Sequence, residues 1–511
     1  MDENNIPVLV GCGQVTQREP DPARALAPMD LMADACRDAA ADSGAGAALL
    51  GSLDTIAVLR SFSDTSWRFT CPFGRYENPP ASLASRLNAT AAQRLIYTHP
   101  GGNMPQYLMN RFSEQITRGE TTAVLVAGGE ARSTQKAAQR AGVALDWSES
   151  ATSAPQEVGV ATRGWSDMEE RHRMAGAIFA YPLFENAIRG AAGRSVDEHL
   201  QAMGELFSRF AAVAAKNPLA DRRTGYDARA LATVGPDNPY IGFPYTKLMN
   251  ANAFIDQSAA VILTSVGHAR RLGIDSSKWV YLHGCADTYD HWHISDRINF
   301  HSSPAMRIAA REALEMAQCG IDDVEHFDLY SCFPSAVEIA SAEMGIALDD
   351  PRGLTVTGGL PYFGGPGNNY VTHSIAEMMR RLRAHPDSLG MVTANGNYVT
   401  KQSVGLYSTR PPEKVFAPKD PKTYQGEIDA VRGPDVVEHA QGSATVETYT
   451  VMHDREGPTY SIVFGRLEDG RRFIANTPSD RRLLEDMTRD EFLGRSGVVS
   501  NADGVNTFSP A

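Results

Sequence analysis

The segment Asp328 to Val337 reads DLYSCFPSAV, and its Tyr330-Ser331-Cys332 trio holds two groups able to do chemistry, a phenol and a thiol. Residues two apart in an extended segment share a face, so Tyr330 and Cys332 are placed to reach one pocket. A cysteine is a nucleophile only as thiolate, which needs a pKa pulled down by a helix N-terminus or a nearby cation. Otherwise it is a small buried hydrophobe, the commoner fate. His99, in Thr98-His99-Pro100-Gly101-Gly102, adds an imidazole that titrates near neutral pH and is a candidate acid/base. A polar strand end is its plainer role. His283, His291, His293 and His301 form a second group, with Asp287 and Asp290 nearby. These residues carry metal-ligand atoms, but an i, i+2 pair without a glutamate signature reads as a solvated loop, and no metal is assigned.

The elements that must position these groups repeat. The run Val8-Leu9-Val10 leads into Gly11-Cys12-Gly13, and the run from Trp279 to His283 leads into Gly284-Cys285. Each reads as a buried strand entering a small-residue turn. After the first comes PMDLMADACRDAAADSG, and after the second SPAMRIAAREALEMAQCG. Both are helices with Pro near the start and Gly at the end. A further pair matches GGNMPQYLMNRFSEQITRGETTAVLVAGGE (101–130) with GGPGNNYVTHSIAEMMRRLRAHPDSLGMVTANGN (364–397). Three matching units in one order imply two β-α-β halves with parallel strands and crossover helices.

The chain has 511 residues, too many for one core, so several domains are expected. We divide it into a first half at 1–278 containing an insertion at about 133–250, a second half at 279–412, and a β-rich module at 413–511. In that last part ATVETYTVMHD and PTYSIVFGRLEDGRRFIANT alternate apolar and polar residues, as in a small antiparallel barrel. The net charge of −13 argues against a broad nucleic-acid surface. Six scattered cysteines without a CxxC pair fit a reducing cytoplasm rather than a disulfide scaffold. No run approaches the ~20 apolar residues of a membrane span, and no signal peptide is visible.

Taken with these motifs, residues 5–412 resemble the thiolase superfamily. TTAVLVAGGEARS is similar to its strand ending in "GG-E", and NAFIDQSAAVILTS to its "DGAAA" strand. DLYSCFPSA stands at the "NEAF" turn, TVTGGLPYFGGPGNN at the "NGGAIALGHPxGASG" loop, and MVTANGNYVTKQSVGLYS at the last catalytic strand. The insertion, with FAYPLFENAIRG and KNPLADRR, resembles sterol-carrier-type thiolases, and the module after 412 resembles the additional C-terminal domain of thiolase-like proteins of type 1, a branch often labelled acetyl-CoA acetyltransferase. The resemblance implies an α/β fold with duplicated βαβαβ halves in a five-layer αβαβα core, plus a small antiparallel β-barrel. It implies lipid metabolism, a CoA thioester as substrate, no tightly bound cofactor, and a possible homodimer through RLIYTHP (94–100).

The departures fall at the chemistry. Gly101 to Met104 stand at the nucleophile turn without a cysteine, Gly365 replaces the "GHP" histidine, and Asn395 replaces the last-strand cysteine. A cysteine-based ping-pong reaction is therefore not expected. Tyr330 takes the place of the "NEAF" asparagine and becomes the candidate acid/base. Cys332, His99 and Asn397 complete the catalytic candidates. Gly364, Gly365 and Asn395 are the substrate-binding candidates: the glycines permit close approach of backbone N–H groups, and the asparagine amide can donate to a thioester oxygen. Two readings remain, an acyltransferase or carbon–carbon lyase acting on an acyl-CoA with a rewired site, which we favour, and an acyl-CoA-binding or partner protein without turnover.

Overall fold

The computed structural model describes residues 3–65 and 69–511. Aliphatic and β-branched runs form strands β1 (Pro7–Thr16), β2 (Thr55–Val58), β3 (Arg94–Thr98) and β4 (Ala123–Ala131), and the short polar QEV forms β5 (Gln156–Val158). A short hairpin of β6 (Tyr240–Gly242) and β7 (Tyr245–Thr246) precedes β8 (Asp256–Ser265). The first sheet runs β1-β8-β4-β2-β3-β5. The second contains β9 (Tyr281–Tyr289), β10 (His326–Asp328), β11 (Gly390–Gly396) and β12 (Lys401–Ser408), in the order β10-β11-β12-β9.

Taken from its other edge, β9-β12-β11-β10 repeats β1-β8-β4-β2. The directions repeat as well: two antiparallel pairings, then a parallel one. The duplication extends to atoms. A β-carbon on Gly11 would stand 2.1 Å from the Ala39 carbonyl oxygen, and one on Gly284 would stand 2.0 Å from that of Ala313. In both halves only glycine lets the covering helix approach this closely. Those helices, Pro28–Asp42 and Pro304–Ala317, cover the outer faces of the two sheets, while Met104–Thr117 and Tyr370–Ala384 lie between them. Five αβαβα layers result. Strands β4, β8, β11 and β12 are buried at every position because helices cover both faces.

The strand expected as a dimer seam is covered by its own chain. Strand β5 pairs in parallel with β3, Ile96 opposite Gln156 through Thr98 opposite Val158. A covered edge offers no ladder to a second subunit there.

The C-terminal module comprises β13 (Gly442–Asp454), β14 (Gly457–Leu467), β15 (Arg472–Ala475), β16 (Ser496–Ala502) and β17 (Val505–Pro510), ordered β15-β14-β13-β16-β17. A bridge between Asn476 and Thr507 brings its two ends together into a barrel. The barrel is fastened to the rest of the chain. Strand β13 pairs with β6 of the insertion, and the fully buried Arg472 guanidinium bonds Glu447 while donating to the Ser295 carbonyl at 2.8 Å. Among the described residues no helix is long and apolar enough to cross a membrane.

Candidate functional site

Strand β10 ends at Asp328, and the chain then turns through Leu329 to Phe333 into the helix Pro334–Met344. The Tyr330 amide donates to Thr393 Oγ1 at 3.0 Å, which ties the turn to β11. Ser331 Oγ accepts from the Leu360 amide at 3.4 Å, so it faces the loop before the glycine turn. Tyr330 and Cys332 face the other way, as their spacing predicts.

The Tyr330 ring reaches the turn that opens the helix Met104–Thr117. A β-carbon on Gly102 would lie 2.3 Å from the Tyr330 hydroxyl and 2.6 Å from the Asn395 carbonyl oxygen. Gly102 is therefore a glycine because a phenol and a strand carbonyl crowd it. Gly102→Ala is expected to cost roughly 1–3 kcal/mol in chemical denaturation, since neither neighbour can retreat from a packed core. The Tyr181 hydroxyl, from the insertion, donates to Asn395 Oδ1 at 2.9 Å and also bonds the Cys332 thiol. The Tyr181 ring stacks on Phe333 with centroids 4.5 Å apart. Tyr330, Cys332, Tyr181 and Asn395 thus form one buried polar cluster contributed by the second half and the insertion.

Electrostatics in this cluster disfavour a thiolate. Burial pushes the Cys332 thiol up to about 12, and the Tyr181 hydrogen bond only partly offsets it. No imidazolium or other cation contributes. Burial, and secondarily Cys332, raises the Tyr330 phenol as well, so at neutral pH it is a proton donor.

Lys401 was not among the sequence candidates. It opens β12 with 1% of its surface exposed. Its Nζ donates to the Pro100 carbonyl at 2.9 Å and the Val160 carbonyl at 3.2 Å. It stands 3.5 Å from the point where a Gly101 β-carbon would be, in the turn Gly101 to Met104 where the resemblance places a nucleophile. Asn103 Oδ1, buried and without a hydrogen-bond partner, lies 2.5 Å from that same point. Burial alone lowers the Lys401 amine to about 8 from 10.5. A neutral amine has two N–H groups and one lone pair, and the two backbone carbonyls occupy both N–H groups. Between pH 8 and 10.5 the unfolded chain holds a proton that the folded chain lacks, so stability rises with pH in that window. Lys401→Met is expected to remove about 3 kcal/mol of that rise, read by denaturation at a series of pH values. The signal in the sequence was a lysine at the head of the strand KQSVGLYS, whose other residues are all uncharged.

The other candidates are placed as follows. The His99 amide donates to the Val158 carbonyl at 2.8 Å, and its Nε2 lies 3.9 Å from Glu157, so it belongs to the β3–β5 edge. Among the described residues no hydrogen bond or ion pair joins it to Tyr330 or Cys332. Asn397 lies in a run of three left-handed residues, Asn397, Tyr398 and Val399, at φ 50°, 59° and 64°. Its amide meets the Thr162 carbonyl at 3.5 Å. Gly364, at φ 130°, sits where a β-carbon would meet Gln257 Oε1 at 2.2 Å. The Gly365 amide donates to the Asn252 carbonyl at 2.9 Å, and the Gly367 amide to the Gly365 carbonyl at 2.8 Å. Those two donors are spent inside the protein, because the turn folds onto itself and onto 252. An oxyanion site here draws on side chains rather than on the amides of Gly365 and Gly367. The histidine group does not converge: His291 Nε2 meets the Val431 carbonyl at 2.7 Å, His283 Nε2 meets that of Arg410 at 2.8 Å, and His293 lies 3.4 Å from Asp296.

Two sheets repeated strand for strand around a central helical layer, with the site where the halves meet, define a thiolase-like fold. Comparison places the chain further. It matches a monomeric SCP2-thiolase-like protein type 1 from Mycobacterium smegmatis with 36% identity over 100% of both chains and a TM-score of 0.85. Residues 424–504 match the thiolase-like protein type 1 additional C-terminal domain. The chain belongs to the SCP2-thiolase-like protein type 1 family. An acetyl-CoA acetyltransferase from Syntrophomonas wolfei shares the fold at 14% identity, with a TM-score of 0.56 over 79% of this chain and 99% of that one. An Ltp2-ChsH2(DUF35) aldolase shares it at 13%, with a TM-score of 0.57 over 80% and 98%. No curated protein matches the chain.

Proposed function

We propose that the chain is a carbon–carbon bond lyase acting on a CoA thioester, in which a phenol and an amine move protons and no acyl-cysteine forms. The observation that carries this reading is that the turn without a cysteine is met by both groups, the Tyr330 hydroxyl packed against Gly102 and Lys401 Nζ against the neighbouring Gly101. The reading is supported further by the Cys332 thiol, which burial holds un-ionised. A 3-hydroxyacyl thioester suits the pair. The Lys401 amine takes the 3-hydroxyl proton, the C2–C3 bond breaks, and its electron pair passes into the thioester enolate. Tyr330 protonates C2, and the Lys401 ammonium returns its proton to the phenolate. The products are an aldehyde or ketone and a shortened acyl-CoA, and both side chains are reset.

The test incubates the full chain with 3-hydroxyacyl-CoAs, and separately with acetyl-CoA in D2O. Cleavage and deuteration of the acetyl methyl group are expected, with no mass added to the protein. Tight binding of acyl-CoA with neither cleavage nor deuteration would overturn the reading in favour of a binding protein. An adduct that disappears in Cys332→Ala would restore acyl transfer through the thiol.

A further inference from the structure

Behind the Tyr330 cluster lies a second group of buried ionisable side chains that the proposed reaction does not use. Glu185 comes from the helix Ala177–Ala191, His199 from Val196–Lys216 and Glu338 from Pro334–Met344. Glu185 and His199 are fully buried, and Glu338 is 6% exposed. One ligand atom from each lies within 4.8 Å of the others. His199 Nε2 meets Glu185 Oε1 at 2.6 Å, and the Tyr245 hydroxyl meets Glu185 Oε2 at 2.6 Å. Glu338 Oε2 is buried without a hydrogen-bond partner, and its carboxyl faces that of Glu185. The nearest guanidinium, Arg194, stands 4.0 Å from Glu338 Oε1 and 3.4 Å from His199 Nδ1, and is itself 36% exposed.

Two carboxyls facing each other in a dry pocket cannot both stay ionised without a cation between them. A shared proton or a metal ion satisfies that requirement. The histidine argues for the metal, because a pair of acids needs no imidazole to share a proton, whereas an imidazole with two carboxylates is a common ligand set for zinc and its neighbours. Ligands at about 2.1 Å from a tetrahedral ion stand about 3.4 Å apart, so these three need only small shifts to bind one.

We propose that Glu185, His199 and Glu338 hold one divalent transition-metal ion, with zinc as the best match to their donor set. Magnesium fits poorly, because it takes oxygen ligands and keeps several waters. The ion joins two insertion helices to the helix that begins two residues after Cys332, and so fixes the insertion against the site turn. The inference stands apart from the lyase reading, because its readouts are metal content and stability.

The test uses the untagged full chain, expressed with zinc, dialysed, and assayed for metal by mass spectrometry. One ion per chain is expected, with an unfolding midpoint that rises with added zinc. Glu338→Gln and His199→Gln keep side-chain size and polarity, and each is expected to weaken zinc binding more than about 100-fold, since even the partners of metal ligands cost 10–100-fold. Circular dichroism identifies any variant that fails to fold, and the other variant then decides. A folded wild-type chain that neither retains zinc nor gains stability from it overturns the proposal. So does zinc binding that survives in both variants. A Glu338→Gln variant as stable as the zinc-loaded wild type also overturns it, in favour of a shared proton.

Discussion

Tyr330→Phe is expected to slow acyl-CoA cleavage and methyl deuteration by roughly 100- to 10,000-fold, the usual contribution of a positioned acid/base. The removed atom is the hydroxyl that crowds Gly102, while the ring and its edge-on contact with Tyr370 at 5.7 Å remain. Stability should therefore change by no more than about 1 kcal/mol. Cys332→Ala is the contrasting variant. Its thiol is buried and held near a pKa of about 12, so its loss should leave the rate within about tenfold. The rate should rise with pH through about 8 as the Lys401 amine loses its proton, and Lys401→Met should abolish that limb. If Cys332→Ala, still folded, loses the rate while Tyr330→Phe keeps it, the assignment of roles is reversed.

The layers of this fold are legible because each repeats a local rule twice. Pro-started, Ala-rich helices follow Gly-Cys strands in both halves, and the carbonyls of Ala39 and Ala313 leave room only for glycine beneath them. Strand β5 was not legible. Gln156 and Glu157 are polar and exposed, Val158 is half-buried, and the three gain their structure only by pairing with β3. Within the site, the two-residue spacing of Tyr330 and Cys332 placed them on one face. Tyr181 escaped notice because its partner Asn395 is 214 residues away and nothing in FAYPLFENAIRG marks the tyrosine as polar-facing. Glu185 and His199 are 14 residues apart on different helices, and Glu338 arrives from the second half, so no spacing rule joins them. Local patterns set elements, and long-range packing sets which polar groups meet.

Asp328→Ala should cost about 3–5 kcal/mol, measured by chemical denaturation, because it strands a ring of buried donors. The carboxylate is fully buried between the end of β10 and the helix Tyr370–Ala384. Oδ2 accepts from the amides of Val356 and Thr357 at 2.9 and 3.1 Å and from the hydroxyls of Thr355 and Thr357 at 3.0 and 3.1 Å. Oδ1 accepts from Ser374 Oγ at 2.7 Å and the Tyr370 hydroxyl at 3.2 Å. Alanine takes this acceptor from the amides of Val356 and Thr357 and from the Ser374 hydroxyl and opens a cavity, while the Thr355, Thr357 and Tyr370 hydroxyls keep only one another. Asparagine keeps the shape and one oxygen but turns an NH2 toward donors, so Asp328→Asn should cost less than alanine but still about 2 kcal/mol. Ser374→Ala removes a single donor and should cost about 1 kcal/mol. The order Ala, Asn, Ser374→Ala follows from donor counting. Because Asp328 stands two residues before Tyr330 and fixes the loop that approaches Ser331, Asp328→Asn should also slow the reaction while leaving the chain folded. A fully active Asp328→Asn protein would mean that the Tyr330 turn is held by Thr393 alone.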